Sequence, residues 1–191
     1  MRNMMVAMLC ALLLIPMSSR AQSASPTPAS STTAPVSAPP KPVPCTREQH
    51  RQFDFWIGDW EVTGADGKLA GRNTIHPILG GCVLHESWKA GSGYAGESFN
   101  TYDRARQVWH QTWVDVGGSL LVLEGQFADG VMTLSDRALT GKKDPHAINE
   151  IAWTKRADGS VKQLWRVTRD GGKTWTTAFD GTYIRASAST R

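Results

Sequence analysis

The sequence predicts an all-β protein, a single closed or nearly closed antiparallel barrel of about ten strands. Three observations carry that reading. Short runs rich in Val, Ile, Thr, Trp and Tyr alternate apolar and polar positions along most of the chain. Glycine and aspartate turn chemistry separates these runs at short intervals, and helical periodicity is scarce. So many strands in one domain cannot remain an open meander, which would leave bare edges and one uncovered apolar face.

Ahead of the strands, Arg2 precedes an apolar run from Met4 to Met17, and small residues flank a cut after Ala21, so residues 1–21 read as a signal peptide. The run is shorter than the roughly 20 residues that hydrocarbon demands, and no transmembrane segment is expected in the mature protein. A periplasmic or secreted product follows. Residues 22–44 are Ser, Thr, Ala and Pro with Lys41 as the single charge, a composition too poor in apolar groups to offset ordering entropy, and they read as a disordered linker. The barrel is expected over 45–185, with a short disordered tail at 186–191.

The domain opens with "TREQHRQFDFWIG", the one stretch suited to a helical turn, with Thr46 as a candidate cap. The first strands are expected at 60–63, closed by "GADGK"; 73–78, by "LGG"; 83–89, by "AGSG"; and 94–102, by "DRAR". Runs at 108–116, 119–127 and 131–137 continue through "GG" and "ADG". Those at 147–154, 161–168 and 175–184 complete the set, the last with a break expected at "FDG".

Export leaves Cys45 and Cys82 as the domain's cysteines. One bridge between them is expected, with two free thiols as the alternative. In the chain-entropy description, closing such a loop stabilises by about 3 to 4 kcal/mol. The formal charge of +4 arises at the chain ends, from Arg2, Arg20, Lys41 and Arg191, while the barrel region is balanced. No basic block with interleaved aromatics is present, so a nucleic-acid partner is not expected.

Two local motifs stand out. In "TRDGGKTW", Asp170 is placed to accept backbone N–H bonds, Gly172 to relieve the turn and Trp175 to pack over it. The stretch resembles the sialidase Asp box. It occurs once, whereas a propeller needs repeated blades, so the motif is assigned to folding. In "FWIGDWEV", Gly58 and Trp60 form a Gly-x-Trp step that resembles the opening of lipocalins and their calycin relatives. The resemblance implies that Trp60 closes the barrel floor with a late-strand basic residue across it; Arg185 is the best match and Arg166 the second. An indole floor under a guanidinium is physically sound on its own terms.

Taken together, "FDFWIGDWEV", "GGCVLHESW", "GESFNTYD", "WHQTWVD", "LEGQF", "QLWRVTRDGGKTW" and "FDGTYIR" resemble the DUF1579-like secreted bacterial proteins near the calycins. The resemblance runs over most of Phe53 to Arg185. It implies a small antiparallel barrel with an interior cavity, and it lends no reaction.

One choice of inward face points Glu86, Trp88, Asn100, Trp109, Gln111, Trp113, Gln163 and Trp165 into the lumen. An aromatic lumen with a few convergent polar groups is the usual constitution of a small-ligand site. The expected function is non-enzymatic binding of a small hydrophobic or amphipathic molecule. The alternative is a structural or envelope-interaction domain whose tryptophans merely fill a core. A histidine-centred metal or haem site, as in nitrobindin-like barrels, would draw on His85 or His110, although neither sits in a ligand cluster. A hydrolase or isomerase site would need Glu86 with Asp115 or Glu124 as a second carboxylate. No nucleophile elbow, phosphate loop, dinucleotide fingerprint or haem-attachment motif is present, and no cofactor is expected.

Overall fold

The computed structural model describes residues 45–142 and 144–187, so the expected leader, the linker and the tail beyond Ser187 lie outside the described residues. Ten strands close into one antiparallel barrel: β1 (Gly58–Gly64), β2 (Leu69–Ile78), β3 (Val83–Ala90), β4 (Ala95–Asp103), β5 (Val108–Asp115), β6 (Leu120–Ala128), β7 (Val131–Ser135), β8 (Ile148–Lys155), β9 (Val161–Thr168) and β10 (Thr176–Arg185). Each strand pairs with its sequence neighbours, and β10 returns to β1 in a register that runs from Trp60 opposite Arg185 to Gly64 opposite Gly181. Full closure removes every free edge.

Alternation explains the inward face. On β2, Gly71, Asn73 and Ile75 are buried while Arg72, Thr74 and His76 are exposed. On β4, Gly96, Ser98 and Asn100 are buried while Glu97 and Phe99 face solvent. Successive side chains on a strand point to opposite sides, so a barrel sorts them into lumen and exterior. Among the described residues, no helix is long and apolar enough to cross a membrane.

The segment before β1 plugs one end. The expected short helical stretch is present as two 3₁₀ turns, Glu48–Arg51 and Asp54–Trp56; the first is preceded by Arg47 without a side-chain cap bond, so Thr46 is not the cap. Phe53 and Trp56 are fully buried and stacked with ring centroids 4.9 Å apart. Phe53 also meets Trp109 and Trp153 edge-on at 5.7 and 5.2 Å. The plug is fastened from outside by a Cys45–Cys82 disulfide and by Arg51, which donates to the Gly81 carbonyl.

Trp60 sits in the same closed end, buried, with Nε1 donating to Trp56 O at 2.9 Å. The Arg185 guanidinium lies 4.0 Å from the indole ring and donates to Ile57 O at 2.7 Å. Gly58 makes this possible. Its φ of 145° belongs to glycine's range, and a β-carbon there would collide with the guanidinium.

Most strand ends fall within two residues of the sequence reading, and two departures from it have an identifiable cause. β2 begins at Leu69 rather than Asn73, because Gly71 pairs within both flanking ladders instead of marking a turn. β10 is not broken at "FDG": a bulge between Thr177 and Phe179 absorbs the irregularity, and Gly181 stays in register with Gln163. Ladder-type bonding runs one residue beyond Arg185, since Ala186 N donates to Asp59 O at 2.9 Å.

Candidate ligand-binding site

Three strands carry the same pattern from the plugged end outward. Leu84, Glu86 and Trp88 follow one another at every second position of β3; Trp109, Gln111 and Trp113 do so on β5; Val161, Gln163 and Trp165 do so on β9. The interior is therefore layered. An apolar layer joins the plug, a polar layer lies above it, and tryptophans stand towards the opposite end.

A cavity of about 470 Å³ occupies the upper two layers. Glu86, Trp88, Gln111, Trp113, Gln163 and Trp165 all line it. Trp88, Trp113 and Trp165 are only half-buried. Gly96 leaves room for this arrangement, because a β-carbon there would run into the Trp113 ring that lies against β4. The remaining wall includes Leu121, Ile151, Trp153 and Phe179.

Asn100 and Trp109, also expected at the ligand, point inward but do not line the cavity. Trp109 belongs to the plugged core and donates Nε1 to Gln52 Oε1 at 3.1 Å. Asn100 acts behind the wall: it accepts from Gln111 Nε2 at 2.7 Å and donates to Ser98 Oγ at 2.9 Å. For these two residues inward parity alone does not place a side chain at the cavity; their nearness to the plug decides it.

The polar layer is one connected network. Ser98 Oγ donates to Glu86 Oε2 at 2.5 Å and Asn73 Nδ2 donates to Glu86 Oε1 at 2.7 Å. Asn73 Nδ2 also reaches Tyr183 Oη at 3.2 Å, and Tyr183 in turn donates to Gln163 Oε1. Burial lifts the Glu86 carboxyl to about 6, against the partial opposition of its bonds from Ser98 and Asn73. Tyr183 is pushed well above its ordinary range by burial, reinforced by the Glu86 charge.

Asn73, Ser98, Tyr183, Trp153 and Phe179 were not among the residues expected at this site. Asn73 and Ser98 had a legible signal, the alternation in "GRNTI" and "GESFN". Tyr183 had none, because its partner Asn73 lies 110 residues away and meets it only through barrel closure.

His85 and His110 take the outer face, where His85 Nε2 lies 2.9 Å from Glu97 Oε2 and His110 Nδ1 lies 3.1 Å from Glu124 Oε1. The histidine-centred alternative would have placed one of these rings in the lumen, and both stand outside it. Among the described residues, no group of three metal-ligating side chains converges. The carboxylate pair is not assembled either. Glu124 is outside with Arg106, and Asp115 accepts from Tyr94 Oη at 2.7 Å and from the amides of Gly117 and Ser119. Those bonds, led by Tyr94, hold the Asp115 carboxyl down at about 2.

Asp170, Gly172 and Trp175 form the β9–β10 turn. Asp170 accepts from Thr168 Oγ1, Thr174 N and Thr174 Oγ1 at 2.6 to 3.0 Å, and Trp175 Nε1 donates to Gly172 O at 3.1 Å. Arg166 stacks on Trp175, 4.9 Å from its ring, while Arg185 is the cation over Trp60. None of the Asp170 turn lines the cavity. No protein-family model matches the chain, and no curated protein sequence matches it.

Proposed function

We propose that this protein is an exported, calycin-type binding protein, of the DUF1579-like kind, that holds a small, partly apolar molecule in its barrel without transforming it. The observation that carries the reading is the cavity of about 470 Å³, walled by tryptophans over a floor of Glu86, Gln111, Gln163 and Tyr183. Its size falls within the range of small-molecule pockets, and so does its mixture of apolar wall and few fixed polar groups. The hydrogen-bond network supports pre-organisation, since Glu86 and Gln111 are held from behind by Ser98 and Asn100 and need little ordering on binding. Export is supported by the leader-like residues 1–21 and by the Cys45–Cys82 bridge, which suits an oxidising compartment. A filled interior would favour the structural alternative; the cavity beyond the plugged core supports the binding reading.

The test uses a neutral apolar probe, N-phenylnaphthylamine. It should quench the tryptophan fluorescence saturably at one molecule per chain and raise Tm, by about 2.7 kcal/mol of added stability at a hundredfold excess over Kd. Absence of saturable quenching together with an unmoved Tm would defeat the proposal.

A further inference from the structure

We propose that the ligand is an organic ammonium ion with an apolar body, its charge set against the Glu86 carboxylate and the faces of the cavity tryptophans. The inference rests on the binding reading above and adds the chemical class of the molecule bound.

The first argument is the charge inventory. Among the residues lining the cavity, Glu86 is the one carboxylate, and no lysine, arginine or histidine accompanies it. Glu86 is 5 % exposed, and both of its recorded side-chain partners, Asn73 and Ser98, are neutral. A buried carboxylate without a cation is unfavourable, and proteins ordinarily pair one. Two donors also leave a carboxylate's remaining lone pairs unfilled. The group is thus a charge and an acceptor with no cationic side chain beside it in the lining, on the wall of the cavity.

The second argument is independent of Glu86. Four indoles, those of Trp88, Trp113, Trp153 and Trp165, share the same cavity. Indole faces carry negative quadrupole density and attract cations, and aromatic enclosures are a recurrent solution for ammonium recognition. A neutral hydrophobe would be served as well by leucines. An anionic amphiphile, by contrast, would bring a second negative charge beside Glu86 in a site of low dielectric, with no cation in the lining to receive it. Although burial raises Glu86 to about 6, it remains ionised at neutral pH. Its facing titratable neighbour, Tyr183, stays neutral there, and His85 is next to it in sequence but on the outer face.

Three probes with one skeleton test this: phenylbutylamine, phenylbutanol and phenylbutyrate, titrated calorimetrically at neutral pH. The amine should bind about tenfold or more tighter than the alcohol, with the carboxylate weakest, a separation of about 1.4 kcal/mol or more. In Glu86→Gln, the ratio of amine to alcohol affinity should shrink to about threefold or less. The wild-type ranking does not depend on the variant folding. Equal binding of amine and alcohol, or preference for the carboxylate, overturns the ammonium assignment and leaves the binding reading standing. Binding of the naphthyl probe with no binding of the amine does the same, whereas failure of every probe removes both.

Discussion

Glu86 carries a stability consequence that can be separated from its role at the cavity. Its carboxyl titrates at about 6 in the folded protein and near 4.5 when unfolded, so between those values the folded state holds more protons. The sign follows from linkage: stability contributed by this residue is full below about 4.5 and is lost as pH rises through about 6. Replacing Glu86 by Gln removes the titration while keeping the shape. Relative to that variant, the wild type should therefore gain about 2 kcal/mol as pH falls across the window, as measured by urea unfolding at both ends. Other carboxylates titrate in both proteins and cancel in the difference. A constant difference between the two proteins across the window would contradict the buried, cation-free setting of Glu86.

At the scale of elements, the plug and its fastening decide how the closed end holds. The bridge spans 37 residues and joins the start of the plug to the β2–β3 connection, with Cα atoms 5.1 Å apart. Replacing both Cys45 and Cys82 by Ser should lower stability by about 3 to 4 kcal/mol in the chain-entropy description. Adding reductant to the wild type should reproduce the loss and leave the double variant unchanged, which urea titrations with and without reductant will check. Most elements were legible in the sequence because their cause is local. Asp and Gly at the breaks enforce turns, and alternation marks the strands. The start of β2 was not legible, since Gly71 reads as turn chemistry until the ladders on both sides are known. The same limit applies to the site. Parity sufficed to group Glu86, Gln111 and Gln163 with their tryptophans, but the depth of Trp109 and the partnering of Asn73 with Tyr183 depend on where the plug sits and how β10 meets β1.

Across the whole molecule, packing and vacancy are segregated along the barrel axis, and β5 passes through both regions. Trp109 lies in the plugged half, 2 % exposed, against Phe53 and Tyr102. Trp113, four residues further along the same face, is half-buried and borders the cavity. Truncating each to alanine should therefore have opposite signatures. Trp109→Ala removes an indole from a filled core and should cost about 3 to 5 kcal/mol, while a variant that remains folded keeps its probe affinity within about threefold. Trp113→Ala removes a ring that already has empty space on one side, so the loss of contacts is smaller, and about 2 kcal/mol or less is expected. Its effect should fall on binding, with probe affinity weakened about tenfold or more because a wall of the cavity is gone. Paired urea unfolding and fluorescence titration of the two variants will separate the cases. If Trp113→Ala proves as destabilising as Trp109→Ala and leaves probe binding intact, the upper half is packed like the lower, and the division of the barrel into a supporting end and a binding end fails.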